Sequence, residues 1–398
     1  MSKKLCMLPW ISIEASPIGT ARPCCLALDE ITRPDGSKYD LNTDTVTDIY
    51  RSDYMVNLRQ QFRQGMEPKT CQRCWDEEAS GRTSKRMYTE IRLKELADKV
   101  DYANDYPDQL WFLDLKLGNI CNLKCRICGS WSSSTWIPEE LAYDPEVPKK
   151  EHLAYKFLRA GQWPRNSQVF WDNLRTLLPN IKYFEFTGGE PFMIQEHFDL
   201  LERAVEEGYA KDIEIHYNTN GTHYPDCERL WSYFKRVDIA FSIDDIGERF
   251  EYQRSGAKWT EVCANIEKFH ALRDRTKNIT TQVCMTVNIQ NVYYLDELCA
   301  WINTQTFDHH YFNMLHDPKS MCVSNLTGRA MLVVIGKLTS AKFTTEHRQE
   351  INKIMKFINN GEGSDGEEFR EKMRMADEHR NESFIETHPE IARAMGYE

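Results

Sequence analysis

Hydrophobic positions along the chain follow two periods. From about residue 110, "LWFLDLKL" (110–117) places apolar side chains at alternating positions, the signature of a strand. "IKYFEF" (181–186), "DIEIHYN" (212–218), "VDIAFSI" (237–243), "ITTQVCMTV" (279–287) and "HHYFNML" (309–315) are the next strand candidates. Between them "FDLLERAVEEG", "WTEVCANIEKFHALRD" and "VYYLDELCAWINT" repeat their apolar residues at helical spacing. Strands alternating with helices predict an α/β fold, a parallel sheet with right-handed crossovers. Such a sheet, closed or partly closed, carries its chemistry in the loops at the carboxyl ends of its strands.

The pattern also predicts three domains. Residues 1–105 read as a small α+β unit. There "WISIEA" and "ARPCCLAL", joined through "SPIG", make a hairpin, and "VTDIYRSDYMVNLRQQFRQG" makes a helical stretch leading into "CQRC". Residues 106–325 hold the α/β core. Residues 326–398 form a helical, highly charged C-terminal extension in which "GEGSDGEE" (361–368) is a linker and "FREKMRMADEHRNESF" a solvated helix with mixed charge pairs.

Composition narrows the classes. With 398 residues, 41% hydrophobic and 28% charged, the chain has the balance of a globular protein with room for a large core. A net charge of −11 with no basic block weighs against a phosphate-neutralising surface, so a nucleic-acid partner is not expected. No apolar run has the length of a bilayer span, so no membrane partner is expected either. The opening "MSKKLCMLPWISIEA" mimics a signal peptide, but Pro9 and Glu14 interrupt it, and the expected setting is cytoplasmic.

Thirteen cysteines are many for such a setting, and eight of them cluster: Cys6; Cys24 and Cys25; Cys71 and Cys74; Cys121, Cys125 and Cys128. Clustering points to metal rather than to disulfides. "GNICNLKCRICG" (118–129) follows the first core strand and holds three thiols with no histidine, one ligand short of a closed zinc site. Iron–sulfur clusters are held by thiolates, normally one per iron. Three thiols on a short loop suit three corners of a [4Fe–4S] cube whose fourth iron is open to a non-protein ligand.

This C-x3-C-x2-C loop resembles the signature of radical S-adenosylmethionine (radical SAM) enzymes. The resemblance implies a partial (β/α)6 barrel whose cluster chelates S-adenosylmethionine through its amino and carboxylate groups. It further implies one-electron cleavage of the sulfonium to a 5′-deoxyadenosyl radical that abstracts a hydrogen atom from the substrate. Four further segments match in order at strand ends. "TGGEP" (187–191) resembles the family's GGEP motif and assigns Gly188, Gly189 and Glu190 to the methionine amino group. "NTNGT" (218–222) resembles the ribose-side segment, with Asn220. "SIDDIGERFEYQRSG" (242–256) supplies Ser242, Asp244 and Arg254 toward S-adenosylmethionine, and "TVNIQN" (286–291) takes the place near the adenine. The family commonly has an aromatic residue before the third cysteine; here it is Ile127, which implies an aliphatic face against the adenine.

The N-terminal cysteines resemble the twitch module, the shortened form of the SPASM domain. Cys6 comes first, Gly19 is separated by four residues from Cys24, and the Cys71–Cys74 pair closes the set. The resemblance implies a second, auxiliary [4Fe–4S] cluster, with Cys25 as the alternative to Cys24. A four-cysteine zinc site has the same ligand number. Twitch modules usually follow the radical core, whereas this one precedes it.

The reaction outcome stays open at this level among oxidation, peptide modification and epimerisation. For the last, Cys322 in "HDPKSMCVSN" is the candidate catalytic hydrogen-atom donor. His316 and Asp317 lie in the same loop, and Tyr252 and Asp245 are candidates for the pocket wall. The expected partners are a small-molecule or peptide substrate and a reductant such as flavodoxin or ferredoxin. A non-catalytic iron–sulfur electron carrier has no use for the GGEP-like and TNG-like segments. A zinc-dependent nucleic-acid-binding protein is opposed by the net charge.

Overall fold

The computed structural model describes residues 4–397, so the first residues of the signal-like opening lie outside the described part. Ten strands are described: β1 Ser12–Ala15, β2 Ala21–Arg22, β3 Phe112–Leu115, β4 Lys124–Cys125, β5 Tyr183–Phe186, β6 Glu214–Thr219, β7 Arg236–Ser242, β8 Arg254–Ser255, β9 Ile279–Val287 and β10 His309–Met314. All six core strand candidates are present, and the fold is α/β with a mostly parallel sheet that is open, matching a partial barrel. The chain divides into two compact units: residues 1–121, 153–218 and 225–238 in one, and 122–152, 219–224 and 239–398 in the other.

In the first unit β1 and β2 pair antiparallel, so the expected hairpin forms, although Trp10 and Ile11 belong to a short helix before it. Pro9 explains that start: its fixed φ suits the first helical turn, where no N–H donor is needed. β1 also lies parallel beside β3, β3 beside β5 and β5 beside β6, in a register that aligns Glu14, Asp114, Glu185 and His216 across one face. Asp53–Arg63 is a helix because Ser52 caps it through the Met55 N–H and Met55, Leu58, Arg59 and Phe62 recur at helical spacing and are buried. The buried Arg59 donates to the carbonyls of Pro9 and Tyr50, both at 2.8 Å, and of Asp105 at 2.7 Å. It ties the helix to the chain before β1.

In the second unit β9 and β10 pair in parallel from Gln282↔His309 to Val287↔Met314, and β4 pairs antiparallel with β8. The tail contains a helix, Glu367–Arg380, as expected, but not a solvated one. Phe369, Met373, Ala376 and Asp377 are buried, and the Arg380 side chain is 2% exposed. Its charges are spent on partners inside this unit, described next. Among the described residues no helix is long and apolar enough to cross a membrane.

Candidate functional site

The loop after β3 begins in the first unit and continues in the second. In the first, Gly188 (φ +73°) and Gly189 (φ +58°) follow β5 in left-handed backbone, which side chains rarely adopt. A Cβ on Gly189 would lie 2.4 Å from the Ile120 carbonyl oxygen, and one on Gly188 would lie 2.9 Å from the Lys116 side chain. The Glu190 N–H then donates to Ile120 O at 2.7 Å. Only glycine allows this close approach, which fixes the TGGEP turn against the residue preceding Cys121. Cys121 is buried.

In the second unit Cys125 on β4 lies opposite Arg254 on β8. Arg254 Nη1 stands 3.8 Å from Cys125 Sγ, and its Nη2 donates to Asp244 Oδ2 at 2.6 Å. Asp244 is itself held, accepting from the Thr286 N–H at 2.8 Å. A hydrogen bond with Cys128, helped by the Arg254 charge and opposed by burial, brings the Cys125 thiol down to about 7. Arg254 Nε is buried with no hydrogen-bond partner in the protein. A buried guanidinium with a spare donor beside ionisable thiols fits an anionic group. Ile127 and Cys128 are half-buried, and Ser242 ends β7.

Asn220 joins the second segment to the same loop. Its Nδ2 donates to Asn122 Oδ1 at 3.0 Å, while its Oδ1 accepts from the N–H (2.9 Å) and hydroxyl (2.7 Å) of Thr222. Asn122 immediately follows Cys121 in sequence.

One set of contributors escaped the sequence reading. Arg126, between Cys125 and Cys128, is 1% exposed at its side chain. Its Nη2 donates to Asp377 and to Glu382, both at 2.6 Å, and its guanidinium lies 3.7 Å from the Tyr252 ring centre. Asp377 also accepts from the Tyr252 hydroxyl at 2.6 Å. Arg380 donates to Glu139 at 3.0 Å and to the Lys124 carbonyl at 3.0 Å. The C-terminal extension therefore grips the cysteine loop on both sides of Cys125. Tyr252, a candidate for the pocket wall, belongs to this grip.

Cys322 is buried in the loop after β10, its thiol 3.4 Å from the Pro318 carbonyl. Asp245 is buried, which pushes its carboxyl up to about 7 despite Arg249 beside it.

The N-terminal thiols lie within the first unit. Cys71 precedes the helix Gln72–Ala79 and Cys74 lies in its first turn. Burial raises the Cys6 thiol, and Cys71, Cys24 and Cys74 raise it further through their charge. Burial, then Cys24, pushes Cys74 up to about 12. Four thiols in mutual electrostatic reach resist ionisation until a cation takes up their charge, the donor set of a cluster site. Arg86 stands beside them, bonded to Glu78 at 2.6 Å and to the Leu5 carbonyl at 2.8 Å. Cys25 faces elsewhere: its main electrostatic neighbours are Lys85, Asp114 and Glu185.

The model of the radical SAM superfamily matches residues 115–301, and that of an iron–sulfur cluster-binding domain, SPASM, matches residues 6–75. No curated protein matches the sequence. Among solved structures the chain is similar to native anSMEcpe with bound AdoMet, at 19% identity and a TM-score of 0.37, with 52% of each chain covered. It is also similar to native anSMEcpe with bound AdoMet and Cp18Cys peptide, at 16% identity and a TM-score of 0.35, with 57% of this chain and 58% of that one covered. The chain thus spans little more than half the length of these structures.

Proposed function

We propose that this chain, whose residues 115–301 match the radical SAM superfamily and whose residues 6–75 match the SPASM iron–sulfur cluster-binding domain, is a radical SAM enzyme that abstracts a hydrogen atom from a small molecule or peptide. Its cofactors are a [4Fe–4S] cluster with S-adenosylmethionine and auxiliary iron–sulfur. We assign Cys121, Cys125 and Cys128 to the first cluster and Cys6, Cys24, Cys71 and Cys74 to the second. Bound at the first set, the cluster and S-adenosylmethionine supply one-electron cleavage of the sulfonium and a 5′-deoxyadenosyl radical.

The chain's own residues bind and orient. Arg254, fixed by Asp244, offers its spare Nε donor to an anionic partner beside Cys125. The Gly188–Glu190 turn, held against Ile120, is assigned to the methionine amino group, and Asn220 and Ser242 complete the proposed S-adenosylmethionine contacts, with Ile127 against the adenine. Arg126 and Arg380 hold the loop so that its thiols keep their places. Cys322 is the proposed hydrogen-atom donor for an epimerising outcome, and a flavodoxin or ferredoxin is the proposed reductant. A reducing, cytoplasmic compartment is the proposed setting, because clustered thiols stay available to metal there.

The observation that carries this reading is the pairing of Cys125 with Arg254 across β4 and β8, with Nη1 of the guanidinium 3.8 Å from the thiol and its Nε buried without a hydrogen-bond partner. Anaerobic reconstitution should give about eight irons per chain, four for each cube. Reduction with S-adenosylmethionine should then release 5′-deoxyadenosine, and Cys125→Ala should release none. Zinc in place of iron, or no 5′-deoxyadenosine from the intact protein, would overturn the proposal.

A further inference from the structure

Three buried carboxylates in the first unit face two ammonium groups. Glu14 on β1, Asp114 on β3 and Glu185 on β5 stand in register on one face of the parallel strands. Lys85 Nζ donates to both oxygens of Glu185, at 2.9 and 2.7 Å, and Lys116 Nζ pairs with Glu14 Oε1. Asp114 has no cation of its own among these partners; its nearest hydrogen-bond donor is the Thr187 hydroxyl at 3.4 Å. With all three carboxylates ionised the row is one positive charge short, in a place where an uncompensated charge is costly.

Two independent observations show where the missing charge belongs. Cys25 Sγ and one oxygen each of Asp114 and Glu185 lie within 4.8 Å of one another. Glu14, fully buried, has its Oε2 without a hydrogen-bond partner, on the strand next to Asp114 and directly opposite it. A thiol with two carboxylates and a spare buried acceptor is a mixed sulfur–oxygen donor set. Such a set selects a borderline divalent ion over magnesium or calcium, which take oxygen alone.

We infer that Cys25, Asp114 and Glu185 form a third metal site, separate from both cysteine sets, that takes one zinc-class divalent ion. Metal–ligand bonds of about 2.0–2.3 Å require the three donors to close in slightly, which side-chain rotation provides. Cys25 gives up its thiol proton to solvent on binding. The charges then balance: three carboxylates and a thiolate against two ammonium groups and a divalent ion. Lys85 becomes the outer partner that orients Glu185, as ligating carboxylates require, while Lys116 stays with Glu14. Cys25 is half-buried, which keeps the site within reach of an entering ion.

The test uses the reconstituted protein with its iron in place. It is incubated anaerobically with zinc alone, desalted, and its zinc, iron and sulfide are counted by plasma mass spectrometry and sulfide assay. The intact chain should retain about one zinc. Asp114→Asn and, independently, Cys25→Ser should retain at least tenfold less, with iron and sulfide unchanged. The Cys25→Ser change is small and half-exposed, so it reads the site even where Asp114→Asn fails to fold. Equal zinc in the intact chain and in Cys25→Ser, no zinc in either, or zinc gained only as iron is lost would overturn the site. None of these readouts depends on 5′-deoxyadenosine formation, so failure here leaves the proposed activity to its own test.

Discussion

Asp377 is the residue whose loss should reveal what the C-terminal extension does. Its carboxylate accepts from Arg126 Nη2 and the Tyr252 hydroxyl at 2.6 Å, the Tyr397 hydroxyl at 2.7 Å and the Phe384 N–H at 2.8 Å. In Asp377→Ala the guanidinium keeps Glu382, which is 27% exposed and so a weaker, partly hydrated partner. Removing one partner of a buried ion pair costs about 3–5 kcal/mol. Each buried donor left bare costs a further ~1–3 kcal/mol unless water reaches it. With Arg126 kept by Glu382, the three other donors left bare bring the expected loss to about 3–9 kcal/mol, a large share of a typical domain's stability of ~5–15 kcal/mol. The assay is anaerobic urea unfolding of the intact chain, Asp377→Ala, Arg126→Ala and the double variant. If the pair acts as a unit, the double variant should lose about 2–3 kcal/mol less than the two single losses added. Rates of 5′-deoxyadenosine formation should fall in both single variants, because the loop carrying Cys125 and Cys128 is no longer gripped. Single losses that add to within about 0.5 kcal/mol would show that the pair contributes nothing, and the extension would be mere covering.

Three other outcomes are expected. Cys24→Ser should lose the iron of one cluster, about four per chain, whereas Cys25→Ser should keep both, since Cys25 faces Asp114 and Glu185 rather than the other thiols; iron and sulfide counts decide it. Gly189→Ala should destabilise by more than Gly208→Ala. Both positions are left-handed (φ +58° and +81°), a cost of about 1–2 kcal/mol for alanine, but only the first adds a 2.4 Å clash with Ile120 O; thermal melts of the pair measure the difference. His197 is fully buried, and burial brings its imidazole down to about 3 against the Ile194 carbonyl bond. The unfolded chain therefore binds a proton below pH 6.5 that the folded chain refuses. This contribution is whole above 6.5 and falls by up to about 1.4 kcal/mol per unit as the pH drops toward 3. Urea midpoints from pH 7 to 5 should slope less in His197→Gln.

What the sequence made legible follows from periodicity. The six core strands stand where alternating or continuous apolar runs place them, because burial of one or both faces writes itself into local order. The cysteine loop and the left-handed glycines after β5 stand out in sequence for another reason: each motif is carried by a short continuous run of residues. The grip on that loop was not. Arg126 and Asp377 are 251 positions apart, and a charge on a helix looks the same whether it meets water or a buried partner. The tail helix did carry a signal, Phe369, Met373 and Ala376 at helical spacing, but the surrounding charges outweighed it. The choice between Cys24 and Cys25 was equally closed to sequence, since neighbouring side chains diverge only once the backbone is folded.

β1 has one more consequence. It supplies the hydrogen-bonding neighbour of β3 and, through Glu14, the counter-charge of Lys116. A chain shortened to begin near residue 106 would bare the flank of β3, an invitation to intermolecular strand pairing. It would also strand an ammonium group in the interior. The amino-terminal segment is thus less an appendage than a border, and attempts to isolate the α/β part by trimming should yield aggregate rather than a smaller enzyme.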